Sequence, residues 1–179
     1  MTAEDLTRIE TALRIQLPAV YRELVVPFPI PAFAGNTDTE LKDDPEALIA
    51  FNRELRTGYY SVPPWPEHMF ALGRDDGGCA NAVDVRDPMA PVWWADRCHL
   101  YSGGTSPQSP SLTTWAEETL AILRVVLEEH GVDPDDPPEA LEQALAASAR
   151  AGCRCLLAFV GVGALLVAGT WGVALWLSR

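Results

Sequence analysis

The chain has 179 residues, a formal net charge of −12 and a mean hydropathy of +0.03, averages that pool two different materials. All 25 acidic residues lie before residue 151, together with 11 of the 13 basic ones, so the first 150 residues carry about −14. A surface this acidic repels nucleic acid and disfavours lying flat on an anionic leaflet, whereas it suits simple solubility or a basic protein partner.

The opening Met1-Thr2-Ala3-Glu4-Asp5 is charged and polar, unlike a secretory signal, so the soluble part is expected in the cytoplasm with Cys79 and Cys98 reduced. Thr2 to Asp5 has the form of a capping box and precedes Leu6, Ile9 and Leu13 at helical spacing. Pro18 opens a second short helix with Tyr21, Leu24 and Val25 on one face, and Pro27 and Pro29 stop it. After a loop containing Gly35-Asn36, Asp44 and Pro45 start a third helix whose Leu48, Phe51 and Leu55 point inward, and Gly58 closes it. The period then changes. Met69 to Gly73 and Cys79 to Val85 read as strands around a turn at Arg74-Asp75-Asp76-Gly77-Gly78, and Pro91 to Ala95 reads as a third strand. Ser102 to Pro110 is a Gly, Ser and Pro loop. Thr114 and Glu117 then form a second capping box for a long helix with Ala116, Leu120, Leu123 and Leu127 on its core face, ended by Gly131. Helices, then strands, then a helix indicate an α+β domain.

The chain beyond Gly131 is of another kind. Residues 132–154 read as an acidic, proline-rich linker followed by an Ala-rich helix from Glu139 to Arg150. Cys155 to Leu177 follows, 23 residues without a charge, flanked by Arg150 and Arg154 on one side and Arg179 on the other. At helical rise this run reaches about 34 Å, enough to cross a hydrocarbon core of about 30 Å. Its leucines, valines and phenylalanine together supply roughly −3 to −6 kcal/mol of insertion free energy. A C-terminal transmembrane anchor over 155–177 is therefore expected, with the domain on the cytoplasmic side where two arginines face one. Within it Ala164, Ala168 and Gly172 recur every four residues, a small-residue face that allows a homodimer.

Three stretches carry a resemblance to a known family. Ile9-Glu10 through Leu17-Pro18-Ala19-Val20-Tyr21-Arg22-Glu23-Leu24 resembles the opening helices of the SUKH superfamily, which includes the Smi and Knr cell-wall regulators. Leu72-Gly73 with Asp75-Asp76-Gly77-Gly78-Cys79-Ala80-Asn81-Ala82-Val83-Asp84 is similar to its glycine-rich hairpin. Pro91-Val92-Trp93-Trp94-Ala95-Asp96 and Ser111 to Leu120 match the strand and closing helix after it. The resemblance covers roughly residues 1–130. Val26-Pro27-Phe28-Pro29 departs from the Asn-Gly-Gly type turn the family often has there, so contacts made by that turn do not transfer. What the resemblance implies is a SUKH-like domain over 1–131 that binds protein and has no catalytic residues. Bacterial members often neutralise toxins as immunity proteins, and others act as scaffolds or regulators of the envelope.

The residues themselves leave an enzyme as the weaker alternative. Cys79, Asp84, Cys98, His99 and His68 fall in or near the predicted sheet, but adjacent Cys98 and His99 would point to opposite faces of a strand. No phosphate loop, nucleophile elbow, dinucleotide fingerprint or metal-ligand spacing is present, so no cofactor or metal is expected. Tandem Trp93 and Trp94 must also face opposite ways. One is expected in the core and the other on the second sheet face, which with Asp75, Asp76 and Asp96 makes the expected contact surface for another protein, such as a basic toxin.

Overall fold

The computed structural model describes residues 1–58, 64–75, 78–95 and 107–150. In chain order they form α1 (Ala3–Leu13), α2 (Ala19–Val25), a 3-10 turn (Pro31–Phe33), α3 (Pro45–Thr57), β1 (Met69–Arg74), β2 (Ala80–Asp84), β3 (Val92–Ala95) and α4 (Leu112–His130). The strands make one antiparallel sheet in the order β1-β2-β3, so the architecture is α+β.

Local chemistry sets most of the boundaries. The Thr2 hydroxyl accepts from the Asp5 N–H at 3.2 Å and the Asp5 carboxylate accepts from the Thr2 N–H at 2.9 Å, a reciprocal cap on α1. Leu6, Ile9 and Leu13 are buried as their spacing predicts. Asp44 caps α3 by accepting from the Ala47 N–H at 2.6 Å, with Pro45 in the first turn. Its fully buried positions are Leu48, Ile49 and Asn52, whereas the expected Phe51 and Leu55 are only half-buried. For α4 the expected cap at Thr114 is corrected to Ser111, whose hydroxyl accepts from the Thr114 N–H. Leu112 and Trp115 already lie on the core stripe, so the helix must begin one turn before the Thr114/Glu117 pattern.

The sheet separates two apolar clusters. On one face Phe70, Leu72, Val83 and Val92 pack with Leu6, Ile9, Tyr21, Val25, Trp115, Leu120 and Leu127 from the helices. Tyr21 and Phe70 meet edge to face there, with ring centroids 5.2 Å apart. On the other face the small residues Ala71, Ala80, Ala82 and Ala95 lie with Met69 and Trp65, packed by Phe51, Leu55 and Trp93.

The outer edge of β1 is closed by side chains. The buried Asn52 amide donates to the Ala71 carbonyl at 3.0 Å and accepts from the Ala71 N–H at 2.8 Å, replacing a neighbouring strand at that point. One turn on, the Arg56 guanidinium donates to the Leu13, Glu67 and Met69 carbonyls, tying the end of α1 to the start of β1. Burial lowers the Arg56 pKa, and the nearby Glu67 opposes that shift.

Past Gly131, which takes the left-handed conformation at φ 66°, the chain does not leave the domain at once. Val132 and Leu141 join the main core, and the Ala32 N–H donates to the Pro134 carbonyl. Residues 138–150 are helical, half-exposed at Leu145 and open to solvent beyond it. Among the described residues no helix is long and apolar enough to cross a membrane. The 155–177 segment, with Ala164, Ala168 and Gly172, lies outside them.

Candidate functional site: a cleft between α4 and an acidic loop

A cleft of about 470 Å³ opens between α4, the loop before α3 and the β1–β2 hairpin. One side is apolar. Thr119, Ile122, Leu123 and Val126 follow helical spacing along α4, and Phe33 stands beside them. Ile122 is 59% exposed and neighbouring Val125 52%, an unusual amount of open aliphatic surface for one helix face. The opposite side is Asp38, Thr39 and Glu40, and Arg74 and Asp75 close the end.

The acidic side is a built wall. The Asn36 carbonyl accepts from the Asp43 and Asp44 N–H groups, while its side-chain amide donates to the Phe33 and Leu41 carbonyls. Thr39 Oγ1 lies 2.6 Å from Asn36 Oδ1 and 2.7 Å from the Leu41 carbonyl, so its one proton has an acceptor either way. The wall is laid on β1 through Lys42 N–H to the Leu72 carbonyl and Arg74 N–H to the Thr39 carbonyl. Gly73 makes that approach possible. A Cβ there would sit 2.2 Å from the Thr39 oxygen and 2.4 Å from the Glu40 oxygen, both backbone atoms. A bulge between Ala71 and Gly73 shifts the register at this point. The Leu72-Gly73 pair in the sequence is thus the seat of the acidic wall.

Electrostatics at the cleft are dominated by carboxylates. Arg74 Nη2 and Nε lie 2.6 and 2.7 Å from the same oxygen of Asp38, so the cation lining the cleft is already paired. Buried Asn81 donates to the Glu40 carboxylate at 3.3 Å, and its own Oδ1 has no partner among the described residues.

The hairpin places the predicted site residues Asp75 and Trp94 together. The Asp75 N–H and carbonyl bond Cys79 and Gly78 across the turn, and Gly78 adopts φ 81°. Asp75 Oδ1 accepts from the Cys79 N–H at 2.8 Å and Oδ2 from the Trp94 indole N–H at 3.0 Å. Because Asp75 engages both backbone groups of Cys79, β2 starts at Ala80 and not at the expected Cys79. Trp94 is half exposed and its ring is oriented by that bond. Trp93 is the half-buried member, packed on the second cluster. The expectation of an exposed tryptophan on the second sheet face is corrected here. Alternation along β3 puts Trp94 on the face of Val92 and the main core, in the row with Asn81 and Gly73.

Asp76, Asp96, Cys98, His99 and Tyr59-Tyr60 lie outside the described residues. His68 and Cys79 do not meet. Met69 pairs with Asp84 at one end of the hairpin, where His68 Nε2 lies 3.9 Å from Asp84 Oδ2, while Cys79 is at the other end beside Asp75. Among the described residues no group of three His, Cys, Asp or Glu side chains is placed to hold a metal. The α4 half of the cleft escaped the sequence reasoning. Ile122 lies off the core stripe of α4, and an aliphatic residue off that stripe is the signal that could have found it. In comparisons with known proteins the chain matches no family model, no curated protein and no solved structure.

Proposed function

We propose that the domain is a protein-binding module whose cleft takes a basic, amphipathic segment of another protein, and that residues 155–177 tether it to a membrane. The observation that carries this is the pairing of an open aliphatic face on α4 with a hydrogen-bonded acidic wall in one cleft, where the lining residue Asp75 holds the indole of half-exposed Trp94. A segment with one apolar and one cationic face satisfies both sides at once, and a net acidic domain would steer it in. The resemblance to SUKH proteins favours an immunity role, in which the bound segment belongs to a toxin acting at or near the membrane. A scaffold or regulator of the envelope would use the same cleft, and the genes alongside separate the two.

The test is capture by the detergent-solubilised full chain, compared with Trp94→Ala, Ile122→Asp and Asp38→Asn. A basic protein retained by the wild type and lost from the variants, with an association rate that falls as salt is added, is the expected result. Capture indifferent to all three substitutions and to salt, yet abolished by Cys79→Ser or His99→Ala in a folded domain, overturns it in favour of an enzyme.

A further inference from the structure

The acidic wall contains the one lysine of the chain, and it is buried. We propose that Lys42 is a positioning residue whose ammonium pins the start of the wall against α3, beside the backbone seam with β1, so that Asp38 is presented to a partner already ordered. This rests on the cleft being the partner site.

Three contacts converge on the side chain. Its ammonium donates to the Thr37 carbonyl, lies 3.9 Å from Asp38 Oδ1, and stands 5.7 Å above the centre of the Phe51 ring on α3. Its own N–H bonds the Leu72 carbonyl of β1. One residue therefore links the start of the wall, the sheet edge and a helix. Burying an ammonium is costly, and a methionine of similar shape would fill the space without that cost. Burial lowers the Lys42 pKa, Asp38 and Asp44 oppose that, and Arg74 adds to it. What the cation does, and methionine would not, is hold Asp38 from behind. Both Arg74 and Lys42 address Oδ1 of Asp38, while Oδ2 takes no partner among the described residues, on a side chain 66% exposed. The carboxylate is fixed by one oxygen and offers the other.

Hydrogen exchange of the full chain in detergent reads the lock directly, without any partner. In Lys42→Met the amides at position 42 and Arg74, which bond across the wall–sheet seam, should exchange about ten-fold faster or more, as loss of a charge-assisted hydrogen bond implies. Amides of Leu123 and Leu127 in α4 should keep their wild-type protection. If Lys42→Met does not fold, Lys42→Gln, which keeps a donor and removes the charge while leaving the Arg74–Asp38 pair intact, carries the same expectation. Unchanged protection at the seam overturns the proposal, and so does uniform acceleration of seam and α4 together, which would mark Lys42 as a general stabiliser. A seam that loosens in a protein for which no basic partner is found counts against the proposed function and leaves the lock standing.

Discussion

At the scale of single residues, Trp94 and Trp115 separate binding from folding. Trp94 is half exposed with its indole N–H satisfied by Asp75, so Trp94→Ala should leave the unfolding midpoint nearly unchanged while weakening partner binding by about 2 kcal/mol, as interface hot spots do. Trp115 is 2% exposed in the main core, and Trp115→Ala should cost roughly 3–5 kcal/mol in denaturant titration. The reverse ranking would show that Trp94 serves the fold and not a partner. Asn52→Leu leaves both backbone groups of Ala71 without partners, a loss of roughly 2–5 kcal/mol because each stranded buried group costs about 1–3. Two carboxylates contribute to the acid response. The backbone bond from Thr2 lowers the Asp5 pKa, and the hydrogen bond from Arg86 lowers that of Asp84. Each folded value lies below the ordinary 3.8, so the stability they contribute is complete above that value and is lost as pH falls through the folded values. Thermal midpoints should fall on that acid limb, and Asp5→Asn with Asp84→Asn should flatten it.

At the scale of elements, caps and periodicity make most of each helix legible in the sequence. Thr2, Asp44 and Gly131 act where their spacing places them, because capping is local and needs only neighbours in the chain. The Ser111 cap was less visible, since a Ser ahead of an apolar run competes with the more complete Thr114/Glu117 pattern and only packing of Leu112 and Trp115 decides between them. Ser111→Ala should lower stability by about 1 kcal/mol, whereas Glu117→Ala should be nearly silent, as chemical denaturation of the two variants can check. The turn residues were also legible, but their use was not. Asp75 was expected to offer charge to a partner, and it spends one oxygen on the Cys79 N–H and the other on Trp94, an arrangement that exists only after β3 has paired with β2.

For the whole molecule the expectation is a highly acidic domain on a membrane tether. Residues 1–150 expressed alone should be soluble and the full chain should resist carbonate extraction, with Arg150 and Arg154 holding the domain on the cytoplasmic side. Digestion of the domain by protease added outside intact spheroplasts would reverse that orientation. Ala168→Ile should weaken any pairing of the tether in a membrane reporter assay. Val132 and Leu141 pack on the main core, so the segment after Gly131 has less free reach than its proline-rich composition suggests. Sequence alone determined the α+β order, the caps at Thr2, Asp44 and Gly131, the core stripe of α1 and the charge contrast across residue 150, because each depends on composition or on residues within one or two turns. The tertiary structure alone decided the cleft. Asp38, Gly73, Trp94 and Ile122 are distant in the chain and belong to four different patterns. Asp38 and Ile122 line one cleft because a bulge and the missing Cβ of Gly73 let the acidic loop lie on the sheet, and Trp94 reaches it through Asp75.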